Sequence, residues 1–139
     1  MRAGSILLLA LVVLLGSCKD DDAKFSSAEG TWTYTTPDSK IGVEFELKQN
    51  GAQWDVINPV ITVDGTKAEA AVVASEVTPP TIGSIRINAN DTKVTYAYFI
   101  LFSELEVSGD FKEIKGPSAT YTWPHDKTNN LTDVTITRK

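Results

Sequence analysis

Val43-Glu44-Phe45-Glu46-Leu47-Lys48, running into Gln49-Asn50-Gly51, alternates apolar with charged side chains and then turns. A period of two puts Val43, Phe45 and Leu47 on one face of a strand and Glu44, Glu46 and Lys48 on the other. An apolar face backed by a charged one describes a strand with one side in a core and the other in water. Asn-Gly supplies the left-handed backbone that tight hairpins need, so the chain is expected to return as an antiparallel strand over Ala52–Ile57.

The same period extends in both directions. Thr31–Thr35 carries Trp32 and Tyr34 on one face. Asn58-Pro59 reads as an interruption, after which Val60–Val63 runs to an Asp64-Gly65 turn and Lys67–Ala74 returns with Ala68, Ala70 and Val72 aligned. Thr78-Pro79-Pro80 breaks the chain, and Ile82–Asn88 is expected to pair with Lys93–Phe102. Tyr96–Leu105 loses its alternation and reads as holding a helical turn, while Ser108-Gly109-Asp110 and Gly116-Pro117 read as turns. Ser118–Trp123 and Thr132–Arg138, joined through residues 124–130, are the last two strands. Eight to ten strands with short connections and no long helix leave little chain for parallel crossovers. The expected fold is all-β, an antiparallel meander closed or nearly closed into a barrel, with an immunoglobulin-like β-sandwich as the alternative.

The first residues read as an address. Arg2 precedes ten apolar residues, Ile6–Leu15, which is about 15 Å of helix and roughly half a bilayer core. That is a secretory signal rather than a membrane span. Leu15-Gly16-Ser17-Cys18 resembles the bacterial lipobox, which implies lipidation of Cys18, the single cysteine of the chain, as the first mature residue. Lys19-Asp20-Asp21-Asp22 resembles the surface-export signal of Bacteroidota lipoproteins, which implies an outer-membrane protein facing the exterior. The domain organisation that follows is a signal peptide at 1–17, a lipidated acidic tether at 18–28 and one domain at 29–139. The three aspartates lack the glycine and ligand spacing of a calcium loop.

Gly30-Thr31-Trp32 at the first strand and Arg138 at the end of the last resemble the calycin arrangement shared by lipocalins, fatty-acid-binding proteins and avidins. The resemblance implies a barrel sealed at one end by Trp32, with Arg138 stacked across it. Strand parity agrees, because Arg138 shares a face with Val134 and Ile136. The ending Leu131–Lys139 is similar to the last strand of fatty-acid-binding proteins. The helical lid of that family and the long loop and helix of lipocalins have no counterpart here.

Composition narrows the functional classes. A formal net charge of −5 argues against nucleic-acid binding, which needs a basic face. One cysteine and one histidine cannot make a cysteine-rich or multi-histidine metal site. His125 next to Asp126 sits in a turn without a nucleophile motif, and the pairs Glu44/Glu46 and Glu104/Glu106 lie opposite apolar positions and so point outward. No cofactor, no metal and no enzymatic activity are expected. The aromatic residues carry the remaining expectations. Phe45, Trp54, Val72, Ile85 and Tyr96 are candidates either for the core or for lining a pocket for a small apolar or amphipathic ligand. Tyr121 and Trp123 are candidates for an exposed patch, which would make the domain an accessory module or enzyme inhibitor that binds an envelope protein or a glycan.

Overall fold

The computed structural model describes residues 26–90 and 98–139. One 3-10 turn (Ser26–Ala28) precedes eight strands: β1 (Gly30–Thr35), β2 (Ile41–Asn50), β3 (Gln53–Val63), β4 (Thr66–Ala74), β5 (Thr81–Ala89), β6 (Phe99–Val107), β7 (Glu113–Thr122) and β8 (Thr128–Arg138). Each strand pairs antiparallel with the next, and β8 returns to β1 through Trp32↔Arg138 and Thr33↔Thr137, so the meander closes into a barrel rather than a sandwich. The hairpin predicted at Asn50-Gly51 forms with Asn50 opposite Gln53 and Gly51 at φ 63°. Asp64-Gly65 turns with both residues at positive φ, the twist that matches two right-handed strands.

Alternation along β1 and β2 drives one apolar face inward. Trp32, Ile41, Phe45, Ile61, Ile85, Ile87, Ile100, Phe102 and Ile136 are fully buried in one continuous core. Three local expectations are overturned, each by a distortion inside a strand. Asn58-Pro59 does not end a strand. Asn58 takes φ 52°, the register against β2 shifts between Glu44 and Glu46, and β3 continues to Val63. The uneven stretch before Leu105 is extended backbone from Phe99 on, its alternation reset at Glu104, which has φ 52°. Gly116-Pro117 lies inside β7.

These resets are aligned. In the registers of β6 with β7 and β7 with β8, Glu104, Pro117 and Asp133 (φ 56°) fall side by side. Gly83 (φ 73°), paired with Leu105, carries the line onto β5. Inward positions change parity across it: Ile82 to Ile85, Phe102 to Leu105, Ile114 to Ala119, and Leu131 to Val134. Four adjacent strands therefore bend together, which curls a twisted sheet sharply enough to meet its own edge. The glycines in the bend are sterically required. A Cβ at Gly116 would lie 2.8 Å from both the Ser103 carbonyl oxygen and Leu105 Cδ2, and one at Gly83 would lie 2.2 Å from the Ser75 carbonyl oxygen.

Gly83→Ala is therefore expected to lower the stability of the domain by roughly 2–4 kcal/mol. Gly51→Ala also places a side chain at positive φ but faces open space, and should cost about 1 kcal/mol. Urea unfolding followed by tryptophan emission compares the two. Equal losses would remove the role given to the bend.

Candidate functional site

The strand directions define two ends. The starts of β1, β3, β5 and β7 and the ends of the other four share one end with the 3-10 turn. Here the Arg138 guanidinium lies 4.6 Å from the centroid of the Trp32 ring. Its Nε donates to the Phe111 carbonyl and Nη1 to the Glu29 carbonyl, each at 2.7 Å, and Nη2 donates to the Ser27 carbonyl. Trp32 Nε1 donates to the Ala28 carbonyl at 3.0 Å. A Cβ at Gly30 would come 2.9 Å from Arg138 Nη1, which explains the glycine two residues before the tryptophan. This end is shut by packed and hydrogen-bonded groups.

At the opposite end, the β1–β2 turn is tied across to β7. The Tyr121 hydroxyl donates to Asp38 Oδ2 at 2.7 Å, and the Thr36 hydroxyl donates to Asp38 Oδ1 at 2.6 Å. The Lys40 amide donates to the same carboxylate at 3.0 Å. Burial alone would raise the Asp38 carboxyl, but these hydrogen bonds and the Lys40 charge outweigh it and hold the group below its ordinary range. Burial, reinforced by the carboxylate that accepts its proton, pushes the Tyr121 phenol up to about 12. Burial and then the same carboxylate raise Tyr34. Lys40 also pairs with Asp64 at 3.3 Å and stands 5.7 Å from the Trp123 ring centroid, while Tyr98 and Trp123 rings meet at 5.9 Å.

The third feature is in the wall. Among the described residues, β3 and β4 pair only from Val60↔Glu69 to Val63↔Thr66. Gln53–Ile57 keeps its pairing to β2 and Ala70–Ala74 its pairing to β5, but the two edges facing each other form no ladder. The zipper stops beside Pro59, a residue with no amide hydrogen to donate. Trp54 and Val56 on β3, with Ala70 and Val72 on β4, pack against the core from this seam yet are only half-buried. A groove of about 430 Å³, lined by Pro59, Val60, Lys67, Ala68, Glu69 and Ala70, opens where the ladder ends. Val73, on the outer face beside it, is 64% exposed.

The sequence candidates thus separate. Phe45 and Ile85 are solid core and line no pocket, because their side chains interlock with the rest of the buried cluster. Trp54 and Val72 are half-buried on the two strands that flank the seam, each packed against the core. Tyr96 lies outside the described residues, as do Cys18, Lys19, Asp20, Asp21 and Asp22. Tyr121 is 4% exposed and hydrogen-bonded, so it is not an exposed contact, whereas Trp123 is half-buried at the Asp38 end. His125 is exposed in the β7–β8 turn at φ 55°. Glu44 pairs with Lys139 at 3.1 Å and Glu46 accepts from Asn58 at 3.0 Å. Among the described residues no group of three or more histidine, cysteine or acidic side chains could hold a metal ion.

Sequence reading missed Asp38 and the seam. A Thr-x-Asp turn ahead of a strand was the available signal for the first. Pro59 was the signal for the second, read as a strand end when it marks the end of a ladder. No protein family, curated protein or solved structure matches the chain.

The Asp38 hub yields a pH dependence with a definite sign. A carboxyl depressed in the fold contributes stability above its unfolded value near 3.8, lost as pH falls through the lower folded value. A phenol raised in the fold contributes stability below about 10, lost as pH climbs towards about 12. In urea titrations, Asp38→Asn is expected to flatten the acid limb below pH 3.8. Tyr121→Phe should flatten both limbs. Unchanged limbs in both variants would show that the hub carries no linkage.

Proposed function

We propose that this chain is a lipid-anchored, non-enzymatic lipoprotein of the bacterial outer membrane, displayed outward, whose barrel binds an apolar or amphipathic molecule at the β3–β4 seam. The observation that carries the reading is the contrast in burial of inward-facing side chains. Around most of the barrel they are sealed, whereas Trp54, Val56, Ala70 and Val72 remain half-open where the ladder stops. Half-exposed apolar groups backed by a rigid core gain by burial at about 25 cal/mol per Å², without the cost of rearranging the protein. The filled interior supports a shallow binding site in the wall over a deep one inside. The lipobox-like Leu15–Cys18 and the Lys19–Asp22 run support the anchor and the outward display.

A second reading has its own observation. Trp123, half-buried beside Lys40 and Tyr98, gives the opposite end a surface suited to a protein or glycan contact.

Titrating the chain from Cys18 onward with a long-chain amphiphile below its critical micelle concentration tests the first reading. Saturable binding is expected, with a blue shift of the Trp54 emission. Trp54→Ala should weaken it about tenfold or more while Trp123→Ala leaves it unchanged. Equal binding by all three proteins would overturn the seam as the site, and loss confined to Trp123→Ala would favour the second reading.

A further inference from the structure

We infer that the seam is also the face with which the barrel rests on the bilayer, inserting Val73 at the headgroup level with Trp54 close behind it at the edge of the seam. This rests on the lipid-anchor reading above and adds to it an orientation and a contact. The stretches Gln53–Pro59 and Ala70–Ala74, which do not pair with each other, are the halves of β3 and β4 nearest the shut end. The described chain begins at that same end, at Ser26. Gly30 pairs with Leu47, and Leu47 pairs with Val56, so the seam stands two strands from the start of β1. That is about 10 Å. Cys18 is eight residues before Ser26, a reach of up to about 27 Å. A lipid on Cys18 therefore holds the shut end within a short distance of the bilayer, and the apolar seam lies on that end.

The chemistry of the seam fixes how deep it can go. Val73 is 64% exposed, and Trp54, on the facing edge, is packed against the core with only part of its ring open. Both gain from leaving water, and an indole is favoured at the membrane interface. The unladdered edges carry backbone amides and carbonyls, which cannot be left bare in hydrocarbon. Headgroups and interfacial water can satisfy them. Contact at the headgroup–acyl boundary meets both demands, and full insertion meets only the first.

The test couples the chain from Cys18 onward, through its single thiol, to a maleimide-headgroup lipid in phosphatidylcholine vesicles, so that tethering is imposed whether or not cells lipidate Cys18. Vesicles with bromine at shallow acyl positions should quench the Trp54 emission by about half relative to unbrominated ones. Bromine at deep positions should quench it much less. Trp54→Phe should abolish the quenching, and Val73→Asp, at an exposed site, should reduce it several-fold without changing the urea midpoint. Unquenched emission from the coupled protein would overturn the proposal, and so would quenching that survives Trp54→Phe, which would come from Trp32 or Trp123 instead. Failure of the anchor reading is seen separately, as a Cys18 thiol without acyl mass in protein from native membranes.

Discussion

Arg138 meets three demands with one side chain. Its guanidinium stacks on Trp32, and its hydrogen bonds reach carbonyls before β1, between β6 and β7, and in the 3-10 turn. It stands in the last strand, which closes the barrel against the first through only two register pairs, Trp32↔Arg138 and Thr33↔Thr137. A seam that short is weak as a backbone ladder. A shielded cation–π contact is worth about 2 kcal/mol, and hydrogen bonds to a charged group about 1.5–3 kcal/mol each before screening. Without the side chain, β8 would keep β7 and its short ladder to β1 but lose the stack on Trp32 and the bonds to the segments that shut this end. The shut end and the buried indole thus rest on one residue next to the C-terminus.

The bend across β5–β8 is the complementary constraint. A sheet of eight strands becomes a barrel only if its strands coil, and four of them coil along one line through Gly83, Glu104, Pro117 and Asp133. Pro117 lacks an amide hydrogen, Gly83 and Gly116 lack a Cβ, and Glu104 and Asp133 accept left-handed backbone. Each choice costs ladder quality locally. Together they let Ile114 and Leu105 turn inward below the line while Tyr121 and Phe102 turn inward above it, so that both halves of each strand reach the same core.

This bend also explains what was legible. Val43–Lys48 and Asn50-Gly51 declared their strand and turn because β2 keeps one parity throughout its length. Gly30, Trp32 and Arg138 were singled out as a set by a family resemblance, with the strand parity that turns Arg138 inward in support. Residues 103–107 and 113–117 were not legible, although 99–102 and 118–122 were, because a strand that changes its inward parity halfway looks locally like a turn or a helical residue. Pairing partners remove that ambiguity, and they lie far away in sequence. The site suffered similarly. Trp54 and Val72 could be named as inward-facing, but their standing on either side of an unzipped edge depends on where the β3–β4 ladder ends. Asp38 gained its role from Tyr121, 83 residues away.

The two ends and the wall divide the work of the barrel. Both ends are fastened by charged groups in hydrogen-bond networks, Arg138 at one and Asp38 at the other, and such networks hold a geometry because any displacement leaves a charge unmet. Among the described residues no ladder joins β3 to β4 over the half nearest the shut end, and Trp54 and Val72, each packed there against the core, tolerate a new apolar neighbour in place of water. A molecule that met the ends would have to break bonds before forming any. One that met the seam would only have to displace water from surfaces already apolar. Binding free energy is thus most accessible where the ladder is missing, and the rigidity of the ends keeps that opening from collapsing on itself.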